Sequence, residues 1–298
     1  MGIRGGMAQA WAAALALTAA SPALGQSAAD LFYQRAVMSA ADAACHLFAP
    51  DVAASLAASL AQAHGAALRS GLDGASLDAV AARASGAVRA AGCASPAIAA
   101  AAQEVRGAFA GYAHLDRMDF PGELGSWTAE RPAADGAAHW RVVQRDRFGW
   151  DVLQFGLAGH GDERPLMGVA SFADGAQPYG ARLVLRDTSV TSGPFLDPRE
   201  ADISGRIPID GRLPPRSATR VFNAEAMSPA GGDLAGADGG WAFRFPAAAA
   251  EALAGLDPRE AVAVEFLFPG DDGDGVRTAY VEVGDFAAAR AFQQVAQR

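Results

Sequence analysis

Residues 45–93 read CHLFAPDVAASLAASLAQAHGAALRSGLDGASLDAVAARASGAVRAAGC, and the only two cysteines of the chain stand at the ends of this stretch. Inside it, one run opens at Pro50, a residue suited to the first turn of a helix. Val52, Leu56, Leu60, Ala63 and Ala67 then recur at helical spacing as far as Gly71, a plausible stop. A second run carries Leu77, Val80, Ala84, Val88 and Ala91, with Ser76 as the expected N-cap and Gly92 at the far end. Working outward, Met38, Ala41, Cys45 and Phe48 share one helical face upstream. Downstream, Ser95 and Pro96 open a run in which Ile98, Ala102, Val105, Phe109 and Tyr112 share another. Four short Ala-rich helices in up-down order make the first and third parallel. Their C-terminal ends then lie at one level, which is where Cys45 and Cys93 fall. The spacing predicts an antiparallel helical bundle over residues 26–114 closed by a Cys45–Cys93 disulfide.

The N-terminus supplies a reason for that disulfide to form. Arg4 is followed by an almost wholly apolar run from Met7 to Ala20, and Ala23-Leu24-Gly25 places small residues at the −3 and −1 positions of a cleavage site. Residues 1–25 therefore read as a secretory signal peptide, which implies a periplasmic or secreted protein. Two cysteines in an oxidising compartment are expected to pair. The pattern lacks Cys-x-x-Cys, so a redox dithiol has little support. No second apolar run has membrane-spanning length, so no transmembrane segment is expected after cleavage.

Beyond the bundle the composition changes. Residues 115–137, with Phe120-Pro121-Gly122, Trp127 and the polar run from Glu130 to Gly136, read as a connector. Residues 138–298 then read as β-rich. Strand-like segments fall at 140–144, 150–157, 166–172, 181–186, 206–209, 219–223, 241–245, 261–268 and 278–283, and turn-forming residues separate them. Residues 228–240 read as a loop. Pro246 opens a short helical run, and a closing helix with Phe286, Ala289 and Phe292 on one face begins near Asp285. Trp241, Phe243 and Phe245 alternate, as do Val262, Val264 and Phe266, and both triplets are expected to point into one core from neighbouring strands. The fold class is α+β: a helical bundle with one disulfide, then a β-sandwich-like or barrel-like domain with a C-terminal helix.

Two resemblances accompany these residues. Cys45-His46-Leu47-Phe48, Gly65-Ala66-Ala67-Leu68-Arg69, Cys93-Ala94-Ser95 and the run from Val105 to Tyr112 resemble exported alphaproteobacterial proteins with no assigned activity. That resemblance implies a compartment. Residues 241–289 carry strand, short helix, strand, strand and a Gly-x-Phe-x-x-Ala helix start. This order resembles the C-terminal half of the invasion-associated locus B family, a periplasmic β-sandwich group, and it implies a sandwich. That family usually has cysteines in this half and this chain has none there, so no site residue carries over.

Composition narrows the chemistry. The 298 residues include 24 basic and 33 acidic side chains, for a net charge of −9, and every basic residue is Arg. An acidic chain lacks the basic face a general nucleic-acid binder needs. A chain without Lys excludes Schiff-base lysine mechanisms. The five histidines, at 46, 64, 114, 139 and 160, form no His-x-x-x-His pair, and no metal or cofactor site is expected. His64 lies near an apolar stripe and reads as a packed residue. His160-Gly161-Asp162-Glu163 places an imidazole beside two carboxylates on a turn. Asp271, Asp272 and Asp274 miss calcium-loop spacing, because Val276 falls where an oxygen ligand is wanted. The pattern holds no Gly-x-Ser-x-Gly elbow and no phosphate-cradling loop, although a Ser-His-Asp triad assembled from distant residues stays open. Trp127, Trp150 and Tyr179, with His160, are the candidate ligand-facing residues. The leading expectation is a non-enzymatic binding or envelope-interaction protein for a protein or small ligand. The alternative is an exported hydrolase with its site in the interdomain cleft.

Overall fold

A computed structural model describes residues 27–131, 138–236, 239–270 and 273–294. The expected signal peptide lies outside the described residues, as do Asp271 and Asp272.

Four helices come first. Helix α1 (Ala28–Cys45) opens on a capping box, in which Ser27 accepts from the Asp30 amide and the Asp30 carboxylate accepts from the Ser27 amide. It ends at His46, which takes a left-handed conformation (φ 52°). Helix α2 (Pro50–Arg69) starts on its proline, and α3 (Gly74–Ala91) is capped by Asp73, whose carboxylate accepts from the Ser76 amide at 2.6 Å. Ser76 therefore receives the cap rather than supplying it. Helix α4 (Pro96–Phe109) also begins at proline. Ala41, Leu56, Ala84, Val88, Ile98 and Val105 interlock as the bundle core. Cys45, at the end of α1, is bonded to Cys93, just past α3, with a Cα–Cα separation of 5.6 Å. Among the described residues no helix is long and apolar enough to cross a membrane.

The rest is two antiparallel sheets that stay open. The strands are β1 (Arg117–Pro121), β2 (Ser126–Glu130), β3 (His139–Phe148), β4 (Asp151–Gly159), β5 (Leu166–Ser171), β6 (Gly180–Arg186), β7 (Thr219–Asn223), β8 (Ala226–Ala230), β9 (Gly240–Arg244), β10 (Ala261–Phe268) and β11 (Gly275–Glu282). Short helices α5 (Gly232–Ala235) and α6 (Ala247–Ala254) flank β9, and α7 (Phe286–Phe292) closes the described fold. The larger sheet runs β1-β2-β3-β4-β5-β9-β8 and the smaller β11-β10-β6-β7. Their facing sides share one apolar core.

Four sequence expectations change here. The 115–137 stretch is not only a connector, because it supplies β1 and β2, with Phe120 paired to Trp127 and both rings fully buried. The sandwich thus begins near residue 117. Residues 206–209 form no strand: they belong to an insert between β6 and β7 built from short 3-10 turns at Pro198–Glu200, Asp210–Arg212 and Arg216–Ala218. The presumed loop at 228–240 holds most of β8, and α5. The two alternating triplets do meet in one core, but they face each other across the sandwich, since β9 and β10 lie in different sheets. The Phe243 and Phe266 rings meet at 5.3 Å.

Helix α2 docks the bundle onto the sandwich by packing against α7. Gly65 lies at that contact, where a Cβ would collide with the Asp285 carboxylate. Arg69, one turn further on, donates to both oxygens of Asp285 at 2.6 and 2.9 Å. Arg131 is a second tie: it is buried, donates to the carbonyls of Tyr112 and Leu115 beyond α4, and donates to the carbonyl of Phe292 in α7.

Candidate functional site

The candidate aromatic residues separate by environment. Trp127 is no ligand-facing residue. It is wholly buried, its ring packs 4.9 Å from Phe286, and its indole N–H donates to the Val283 carbonyl at 2.8 Å. Trp150, in the turn between β3 and β4, is 89% exposed. Tyr179 is 49% exposed and its hydroxyl donates to Asp274 at 2.5 Å, which raises its pKa. His160 lies in the turn after β4, where its carbonyl accepts from the Glu163 amide at 2.9 Å. His64 packs edge-on to Phe32 at 5.4 Å, and burial lowers its pKa.

Trp150 forms one wall of an open groove of about 570 Å3. Trp241 and Pro229, from the β9 and β8 edge of the larger sheet, line it as well, and Phe172 and Ser171 from the end of β5 complete the aromatic and polar lining. Tyr179 and His160 are not part of it. The lining holds no charged side chain, and Gly175, Ala176 and Gly240 leave backbone accessible. The rim is anchored from below. Asp151 accepts from the Ala173 amide at 2.9 Å and pairs with Arg277 at 3.0 Å. Trp241 was legible as a core residue, and it is half-buried against the core while its remaining surface faces the groove.

The second site is the cleft where bundle meets sandwich, about 670 Å3 in volume. Arg69 of α2, Gly122 and Glu123 of the β1–β2 turn, Arg206 and Arg212 of the insert, and Arg259 line it. Beneath the lining lies a buried carboxylate. Glu282, at the end of β11, accepts from the backbone amides of Glu123, Leu124 and Gly125 at 2.7, 2.7 and 2.8 Å. Gly122 has no room for a side chain, because a Cβ would press on this carboxylate and lie 2.8 Å from the Gly125 carbonyl oxygen. Arg212, almost wholly buried, pairs with Glu123 at 2.8 Å, stands 3.6 Å from Glu282, and donates to the carbonyls of Ile207 and Arg259. Arg259 is paired with Asp257, whose carboxylate raises its pKa. Burial raises the pKa of Asp285, an effect that outweighs the pull of Arg69. Nearby, Arg186 grips Glu260 with two bonds of 2.7 and 2.8 Å.

The lining of this cleft contains no Ser, Thr, Cys or His, so it offers no nucleophile and base of the kind acyl transfer requires. Ser hydroxyls that do reach carboxylates, such as Ser189 to Asp187 and Ser204 to Asp202, sit in local turns two residues apart. No group of three His, Cys, Asp or Glu side chains among the described residues is placed to hold a metal ion. No family model, no curated protein and no solved structure matches this chain.

Proposed function

We propose that this chain is an exported, non-catalytic binding protein that holds an uncharged saccharide in the Trp150–Trp241 groove. One observation carries the reading: Trp150 is 89% exposed at the wall of a groove that a second indole also lines. A bare indole in water forgoes a large apolar contact, and such surfaces commonly mark interaction sites. A sugar ring offers what the lining lacks, a flat C–H face for each indole and hydroxyls for exposed backbone groups. The uncharged lining favours a neutral ligand. The groove is open, which suits a chain of rings running past it. The disulfide, the absence of a membrane-spanning helix among the described residues, and the leader-like N-terminus support an extracellular or periplasmic location. The hydrolase alternative gains no support from the lining of either cavity.

The test is titration of the oxidised protein with chitohexaose and, separately, with a proline-rich decapeptide, followed by indole fluorescence. Saturable quenching by the saccharide that Trp150→Ala abolishes is the expected result. Saturation by the peptide alone replaces the saccharide with a peptide ligand. No saturable change with either removes the groove as a binding site.

A further inference from the structure

We propose that the arginine-lined cleft between bundle and sandwich is a binding site for a small, multiply charged oxyanion of phosphate or carboxylate chemistry. Four guanidinium groups and only one carboxylate, Glu123, line it. The other acids that partner those arginines lie behind the wall. The Asp285 side chain is 1% exposed and Glu282 is fully buried, while Asp257 is 9% exposed. The arrangement is balanced in total charge and polarised in space, with carboxylates inside and N–H groups toward the cavity.

Hydrogen-bond capacity is left over. A guanidinium has five N–H donors and no acceptor. Arg69 spends two on Asp285, and the Arg259 side chain spends two on Asp257. Neither arginine can lower its demand by losing its proton, so the remaining donors want oxygen acceptors. Arg206 adds the charge that the buried acids do not offset. Its side chain is exposed at the cleft, it makes no ion pair among the described residues, and only its backbone is engaged, the amide donating to the Asp202 carboxylate at 3.2 Å and the carbonyl accepting from the Asp202 amide at 2.8 Å. Planar forks of this kind match carboxylate and phosphate oxygens in pairs.

The cavity also has suitable size. About 670 Å3 lies within the range of small-molecule sites. Its walls come from four separate parts of the chain, so its shape depends on the docked arrangement of bundle, turn and insert. The net charge of −9 works against long-range attraction of anions, and recognition must therefore be local and salt-sensitive.

The experiment is calorimetric titration of the oxidised protein, at low ionic strength in a chloride buffer, with inorganic phosphate and with citrate. One saturable site for at least one of them is expected; phosphate alone or citrate alone then identifies which oxyanion chemistry the cleft prefers. Arg206→Ala should weaken that binding roughly ten- to a hundredfold, as for loss of one charge-assisted hydrogen bond. The fold should survive, because only the backbone of Arg206 is used internally. Arg199→Ala, an exposed arginine of the same insert that pairs with Asp197 outside the cleft, should leave binding unchanged. Absence of saturable heat with both anions overturns the proposal, and so does equal weakening by the two substitutions.

Discussion

Replacing both cysteines by serine tests how the bundle is held together. The bridge joins residues 48 apart. Closing a loop of about 49 residues removes unfolded-state entropy worth about 4 kcal/mol at 25 °C in the chain-entropy model, an upper figure that native strain lowers. The bundle has little to set against that loss, since Ala is the commonest residue of its core and each Ala removes little apolar surface from water. For a unit of this size 1 kcal/mol corresponds to about 4–8 °C, so the full term amounts to roughly 16–32 °C. Two optical probes separate the halves. Trp127, Trp140, Trp150 and Trp241 all lie in the sandwich, so in a chain beginning at Gln26, without Trp11, indole fluorescence reports the β half alone. Ellipticity at 222 nm is dominated by α1 to α4. In Cys45→Ser/Cys93→Ser the ellipticity transition should fall by tens of degrees while the fluorescence transition barely moves. A coincident drop in both would refute the claim that the crosslink acts on the bundle alone. Two alkylatable thiols in folded protein purified without reductant would falsify the bridge itself.

Other outcomes follow from individual contacts. Phe243→Ala empties a fully buried site facing Phe266 and should cost about 3–5 kcal/mol in denaturant melts, and a loss below about 1 kcal/mol would mean the two sheets do not meet there. Glu282→Ala leaves three backbone amides without their carboxylate and Arg212 with Glu123 alone. It should cost about 3–5 kcal/mol, so a near-neutral result by urea melting would show those amides are hydrated instead. Asp285 has a raised folded-state pKa, so its contribution to stability is complete below the ordinary Asp value near 3.8 and is lost as pH rises through the raised value. The stability difference between the native chain and Asp285→Asn should therefore shift against the native chain as pH climbs from 4 toward 7, and the opposite slope would mean that the Arg69 pair outweighs burial.

The parts legible from sequence were the long periodic ones. Helices α2 and α4 begin at Pro50 and Pro96, and the apolar alternation of β10 was clear. The miss at the start of α3 is small and instructive. Asp73 and Ser76 are both good caps within one turn, and only the structure shows which side chain accepts. Strands β1, β2 and β8 escaped because each has five residues, bordered or interrupted by Gly or Pro, and β8 is exposed along nearly its whole length and shows no alternation. Residues 206–209 misled in the opposite direction. Arg-Ile-Pro-Ile alternates, yet its carbonyls serve a turn, with that of Arg206 accepting from the Asp202 amide and that of Ile207 from the Arg212 side chain. Alternation identified the inward faces of β9 and β10 but carried no information on which sheet each joins, because pairing is decided by distant partners. The indole of Trp150, next to Gly149 in a tight turn, was readable as a candidate, and its exposure is what the structure adds. The arginine cleft was not, since its members come from positions 69, 123, 206, 212 and 259, and no local pattern connects them.

The seam between bundle and sandwich is where stability and the proposed oxyanion binding meet. An apolar seam would be the cheaper design, because a buried ion pair loses hydration that its own attraction seldom restores in full. The raised pKa of Asp285 points the same way: burial outweighs Arg69 in setting its protonation. What the pair adds is position. Two apolar helix faces tolerate sliding, whereas the two-pronged contact of Arg69 with Asp285 permits one register of α2 on α7, and Gly65 clears the space in which that contact closes. Arg131 fixes the same joint from the other side through carbonyls of both halves. A cleft walled by one residue of α2 and several from the sandwich keeps its shape only if that register is held. The ion pair that costs the fold its cheapest seam is thus the contact that places Arg69 opposite Arg206 and Arg259, and a ligand bridging them would bind to the docked arrangement and stabilise it by mass action.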